Sequence, residues 1–378
     1  MTKHKQIKTL KMLAASLMAA CSLPLVTLAA DIPARALLGL SKIDGMLSIV
    51  DPASLTVLAK VKTGADPHEL LSPDGKTVYV TNYGGGPGGY PSTLLSQIDI
   101  IDIREQKLIQ SLDTSPLLGP HGLSWVNGKM YFTAQASKAI ARYNPDLKKV
   151  DWILGTGMTF THFIKVSPDE KTIVTINVDP GPGSETGSIS VFRYTKEHPQ
   201  HFLPVNMKPS DTGDDWTHTV IPLGVGVEGL DISPDFSEAW TADLQGNIYI
   251  VDIKKGTLAA KLNAGLIGGH RLAFAEGGKY VALVSILAND GTPDNSKPEQ
   301  MGRLQVWASA TRTKVGDIRI GCQGAGMLAD NVEHRVFVSC TPQDVVRVVK
   351  IDPSTGTPSV GPDLNIGGRP DALTFSVR

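Results

Sequence analysis

Apolar and polar residues alternate with period two over short stretches along most of this chain, and turn-forming clusters separate the stretches. In residues 64–82, Leu70, Val78 and Val80 carry the alternation, and Ser72-Pro73-Asp74-Gly75-Lys76 breaks it. Proline sets φ on entry to such a turn and glycine supplies φ > 0 on leaving it, so the stretch predicts a β-hairpin. Degraded copies of the hairpin follow, with turns at VNGK, SPDE, SPDF, EGGK and DNVE. Their returning strands are expected at 130–133, 173–177, 239–242, 281–285 and 336–340. The predicted elements are therefore many short strands in a repeat array, and the 38 glycines and 25 prolines agree with frequent turns.

Aligning the copies on His68 places His121, His162, Glu228, His270, Ala325 and Asp371 at the equivalent position. Seven such positions imply seven repeats, each opening with an inner strand, turning, and adding a second, third and fourth strand. The chain ends complement each other. Residues 35–63 read as three strands without an inner one, whereas the terminal DALTFSVR reads as an inner strand without partners. Pairing the two closes the array into a ring and removes its raw sheet edges.

Tyr79-Val80-Thr81-Asn82 spells the motif of the YVTN-repeat β-propellers, and the resemblance covers essentially the whole chain after residue 30. It implies an all-β fold, a seven-bladed β-propeller of four-stranded antiparallel blades. The blades are expected at about 35–63 with 368–378, then 64–118, 119–160, 161–224, 225–265, 266–321 and 322–367. The group is similar to the propeller lactonases and to the haem-domain propellers of nitrite reductase, without matching their full residue sets. Such folds host many roles, so the resemblance defines architecture better than chemistry. It also puts three long connections, Tyr83–Leu95, Asp179–Gly187 and Ala288–Met301, around the channel mouth, and the insertion Lys196–Trp216, with His198 and His201, on the opposite face.

Four lysines followed by an uncharged apolar run, Met12–Leu28, and small residues predict a cleavable export signal, residues 1–30, cut near Ala29 or Ala30. A lipobox-like cut before Cys21 is the alternative. Pro24 interrupts the run and polar sequence follows at once, which argues against a transmembrane span. The protein is thus expected in the periplasm or secreted, as a monomer. Losing four lysines and no acid moves the net charge from −1 to −5, and no basic patch remains for nucleic acid.

The chemistry-bearing constellation is the ring of equivalent positions. Of nine histidines, four fall on it: His68, His121, His162 and His270. Imidazoles converging on an axis beside a carboxylate suit Zn, Cu or Fe, so these four are candidate ligands of a divalent or transition metal ion. Glu228 is a candidate ligand or proton acceptor, and Arg271, next to His270, is a candidate catalytic cation. Channel lining by the same histidines is the competing structural reading. Cys322 and Cys340 flank one hairpin nearly opposite each other and predict a disulfide in an oxidising compartment. Asp51, Asp102, Asp252 and Asp352 end third strands and read as turn caps. A C-x-x-C-H sequence is lacking, so covalent haem is not expected. Function is left between a His-lined mouth that binds a metal or small polar ligand with a catalytic step, a non-enzymatic module for a protein partner, and a lactonase-like hydrolase.

Overall fold

The computed structural model describes residues 31–84, 94–178, 187–195, 215–286 and 301–376. The three connections and the insertion singled out above fall largely outside the described residues, as do His198, His201 and residues 1–30. Within them, twenty-eight strands form seven four-stranded antiparallel sheets, each led by an inner strand that pairs on one side only. This is a seven-bladed β-propeller, and among the described residues no α-helix occurs.

The hairpin turns work through the residues that announced them. Asp74 Oδ1 accepts the amides of Lys76 (2.9 Å) and Thr77 (2.6 Å), and Gly75 has φ 69°. Glu170 and Phe236 take the same left-handed conformation at φ 58° and 59° in the SPDE and SPDF turns. The third-strand aspartates cap turns as well: Asp102 Oδ1 accepts the Arg104 and Glu105 amides, and Asp352 Oδ1 those of Ser354 and Thr355.

Buried apolar side chains divide into seven clusters, one at each blade–blade interface. The ring closes where the chain ends meet. Pro370–Phe375 is the inner strand of blade 1 and pairs with Leu37–Ser41, setting Leu37 opposite Phe375. Ser376 and Ala36 exchange hydrogen bonds across the seam. Arg35, ahead of blade 1, reaches Asp330 of blade 7 at 2.7 Å, and Arg335 holds the other oxygen at 2.9 Å. Cys322 and Cys340 form a disulfide inside blade 7, with Cα atoms 5.5 Å apart.

One irregularity recurs at the start of the inner strands. In blades 1, 2, 3, 4, 6 and 7 the ladder to the neighbouring strand slips across the position equivalent to His68. A bulge re-aims side chains that an unbroken pleat would send to alternate faces. The second-strand threonine supports it: Thr81 Oγ1 accepts the Glu69 amide, and Thr133 Oγ1 accepts the Gly122 amide while donating to the His162 carbonyl of the next blade. Glycine after the anchor has a matching cause. A Cβ on Gly122 would lie 2.5 Å from the His162 carbonyl oxygen, and one on Gly229 would lie 2.3 Å from that of His270. Blade 5 departs from the expected pattern. Its inner strand is only Asp231–Ile232, and Glu228 precedes it in a glycine-rich segment whose Gly229 amide bonds the His270 carbonyl instead of its own sheet.

Candidate functional site at the channel mouth

The equivalent positions meet at one end of the central channel. His68 Nδ1 lies 2.6 Å from Asp371 Oδ2, which also faces Lys42 Nζ at 3.1 Å. The His68 ring meets His121 edge-on at a centroid separation of 4.4 Å, and His121 lies over His162 at 3.7 Å. His162 Nε2 and His270 Nε2 approach the two oxygens of Glu228 at 3.2 and 2.8 Å. Ala325 leaves a gap in the ring at blade 7.

A second layer comes from the residues that follow the anchors. Arg271 lies over the Phe163 ring at 4.3 Å, donates Nε–H to the Ala325 carbonyl at 2.7 Å, and places its Nη2 3.5 Å from Glu69 and 3.7 Å from Glu228. The guanidinium therefore spans the channel from blade 6 towards blade 2. Beneath it lies a cavity of about 400 Å³, touched by Glu69, Phe163, Arg271 and Asp371 at its upper end.

Burial and charge set the protonation states. Burial pushes Glu69 up to about 7, and Asp371 adds to the rise against the opposing pull of Arg271, His68 and Lys42. Burial acts the same way on Glu228, but His270, His162 and Arg271 outweigh it and hold its carboxyl well below the usual range. Asp371 is likewise lowered, because Lys42 and His68 outweigh its burial. Burial pulls His162 down to about 4 and His121 well below its usual value, so both are neutral imidazoles at pH 7. His121 is fully buried, and neither ring nitrogen has a hydrogen-bond partner among the described residues. A neutral buried imidazole with both nitrogens unsatisfied costs stability, a cost that a bound ligand would offset.

His68, Glu69 and His121 bring one donor atom each to within 4.8 Å of one another. Two imidazoles and a carboxylate from adjoining bulges fit a transition metal with open coordination positions. The surroundings fit too. His68 Nδ1 is shared by Asp371 Oδ2 at 2.6 Å and Lys42 Nζ at 2.5 Å, which leaves Nε2 as the ring nitrogen turned from both, and Arg271 Nη2 lies 3.5 Å from the Glu69 carboxylate, as outer-shell partners do around ligating groups. His162 and His270 are placed on Glu228 instead. Glu69, Lys42 and Phe163 were not singled out in the sequence. For Glu69 a signal existed: five of the other six residues following an anchor are Gly, Phe or Ala. Lys42 follows a second strand, as do Tyr83 and Gln135. These side chains complete the mouth, with Tyr83 at a centroid distance of 5.5 Å from both His68 and His121 and Gln135 Oε1 3.1 Å from His162 Nδ1.

No family model matches the chain, and no curated protein matches it. Solved structures do. The periplasmic gluconolactonase PpgL of Pseudomonas aeruginosa is 17% identical with a TM-score of 0.64, over 90% of this chain and 98% of that one. A putative 6-phosphogluconolactonase of Bacteroides fragilis is 15% identical with a TM-score of 0.63, over 90% and 97%. Hydrazine synthase of Kuenenia stuttgartiensis is 15% identical with a TM-score of 0.61, over 81% and 88%. At such identities the likeness is one of fold, the β-propeller class already read from the sheets.

Proposed function

We propose that this protein is an exported propeller hydrolase that binds one divalent transition-metal ion in the channel mouth through His68, Glu69 and His121. The observation that carries the reading is His121, buried without a partner for either nitrogen beside the two other donors. A metal held by three protein ligands supplies an activated water at its open position. Glu228 offers a carboxylate that can accept a hydrogen bond from that water, and its lowered pKa makes it a weak base. Its carboxyl is ionised, its side chain keeps 30% exposure to the mouth, and His162 and His270 hold both its oxygens. Arg271 and Phe163 close the floor beneath.

The export signal expected at residues 1–30 and the disulfide agree with an oxidising compartment. One structural neighbour is named a gluconolactonase and another a putative 6-phosphogluconolactonase, which makes hydrolysis of a small polar ester or lactone the first reaction to assay. The direct test is elemental analysis of protein purified from the periplasm, followed by hydrolase assays before and after chelation. One equivalent of metal and chelator-sensitive hydrolysis are expected. A metal-free protein that gains no thermal stability from Zn²⁺, Cu²⁺ or Fe²⁺ would overturn the reading in favour of a binding scaffold.

A further inference from the structure

His68 and Glu69 are consecutive residues of one strand. In an unbroken ladder successive side chains leave opposite faces of the sheet, so neighbours do not reach one ion. Here the ladder pairs Pro67 with Asn82 and next Leu70 with Val80, so His68 and Glu69 together face Thr81 alone. This two-against-one bulge brings both side chains to the mouth, where their donor atoms and that of His121 lie within 4.8 Å of one another. Thr81 Oγ1 accepts the Glu69 N–H at 3.0 Å and donates to the Glu69 carbonyl at 3.3 Å. One hydroxyl thus holds both backbone groups of the residue that the bulge admits.

Blade 3 repeats the device. Pro120 pairs with Ala134 and Leu123 with Phe132, which leaves His121 and Gly122 opposite Thr133. Thr133 Oγ1 accepts the Gly122 amide at 2.9 Å and donates to the His162 carbonyl at 2.7 Å. In blade 7 the same place is taken by Ser339, whose hydroxyl donates to the carbonyl of Asp371, the residue whose carboxylate meets His68. Thr81, Thr133 and Ser339 are fully buried. The other three bulged blades carry Leu40, Ile176 and Val284 there, side chains without a hydrogen-bonding group. The bulge therefore forms without a hydroxyl. Hydroxyls stand where the backbone at Glu69, beside His121 or at Asp371 is held.

We propose that Thr81 and Thr133 are positioning residues of the metal site, which fix Glu69 and His121 at the spacing one ion requires. This rests on the metal reading above. Neither threonine touches the ion, and each acts through the backbone of the bulge opposite it. Outer contacts of this kind typically change metal affinity roughly 10- to 100-fold when they are removed.

The test uses the full mature protein, stripped with chelator and titrated with Co²⁺ in competition with a chelator of known affinity. Visible cobalt bands report the geometry around the ion, and urea unfolding of metal-free protein reports stability separately. Thr81→Val and Thr133→Val keep the side-chain shape and remove the hydroxyl. Each is expected to weaken Co²⁺ at least tenfold and to alter the cobalt bands, whereas Thr81→Ser should keep the affinity and spectrum of the unmodified protein. Unchanged affinity and bands in the valine variants, with only a lowered unfolding midpoint, overturn the proposal, because the hydroxyls then serve the fold alone. Thr81→Ser as weak as Thr81→Val overturns it too, since the loss then follows the methyl group. Hydrogen exchange on unmodified metal-free protein needs no variant to fold: the Glu69 and Gly122 amides are expected to be protected, and exchange at open-loop rates overturns the proposal. These outcomes leave the metal reading standing, whereas a protein that takes up no Co²⁺ overturns both.

Discussion

His121 lies over His162 with ring centroids 3.7 Å apart and planes tilted by 33°, yet hydrogen bonding stops between them. On one side His162 engages Glu228 and Gln135, and on the other His121 has no partner for either nitrogen. The ring is thus a hydrogen-bonded arc with a gap at its most buried imidazole.

That gap separates a ligand site from a structural lining. Replacing a buried unsatisfied polar group with an apolar one of similar size relieves its desolvation cost. His121→Leu is expected to raise the stability of metal-free protein by about 1 kcal/mol in urea unfolding while abolishing metal uptake. If His121 serves the fold, the same substitution lowers the unfolding midpoint, and the metal assignment loses its main support.

Ring closure yields a pH-dependent prediction. Asp330 is fully buried between Arg35 and Arg335; burial raises its carboxyl, but the two guanidinium groups outweigh it and leave the pKa lowered. A carboxyl depressed in the folded state contributes stability above its unfolded pKa of ~3.9 and loses it as pH falls through the folded value. Asp330→Asn is expected to cost about 3 kcal/mol near neutrality, because it leaves the buried Arg335 uncompensated and takes the partner from the half-buried Arg35. Denaturation series should show a constant gap to wild type from pH 5 to 8 and a shrinking one below pH 4. A gap that persists unchanged at pH 2 would show that Asp330 acts through packing instead of charge.

The disulfide should matter for the blade that carries it. Cys322 and Cys340 are separated by 18 positions and both are fully buried. Closing a loop of that size is worth about 3 kcal/mol. Paired replacement by alanine should lower stability by that order and leave the metal content of the mouth intact, since blade 7 gives the ring only Ala325. Loss of metal in this variant would place a cysteine in the site.

The repeat, the turns, the seven inner strands and the closing strand were legible because each rests on local rules. Period-two alternation defines strands, Pro, Asp and Gly define turns, and an inner strand without partners at one chain end needs the partners left at the other. For the same reason the anchor positions could be named: equivalent places in a repeat lie on one circle. Which of them share a ligand was a tertiary decision. A bulge admits Glu69 beside His68, and Arg271 crosses from blade 6 towards blade 2, a contact between residues 202 positions apart. The departure of Glu228 from its sheet ladder sets it between His162 and His270. None of this follows from spacing. Slipping a ladder by one residue changes the face on which a side chain emerges while leaving the sequence pattern intact, and the approach of side chains across a channel depends on closing the whole ring.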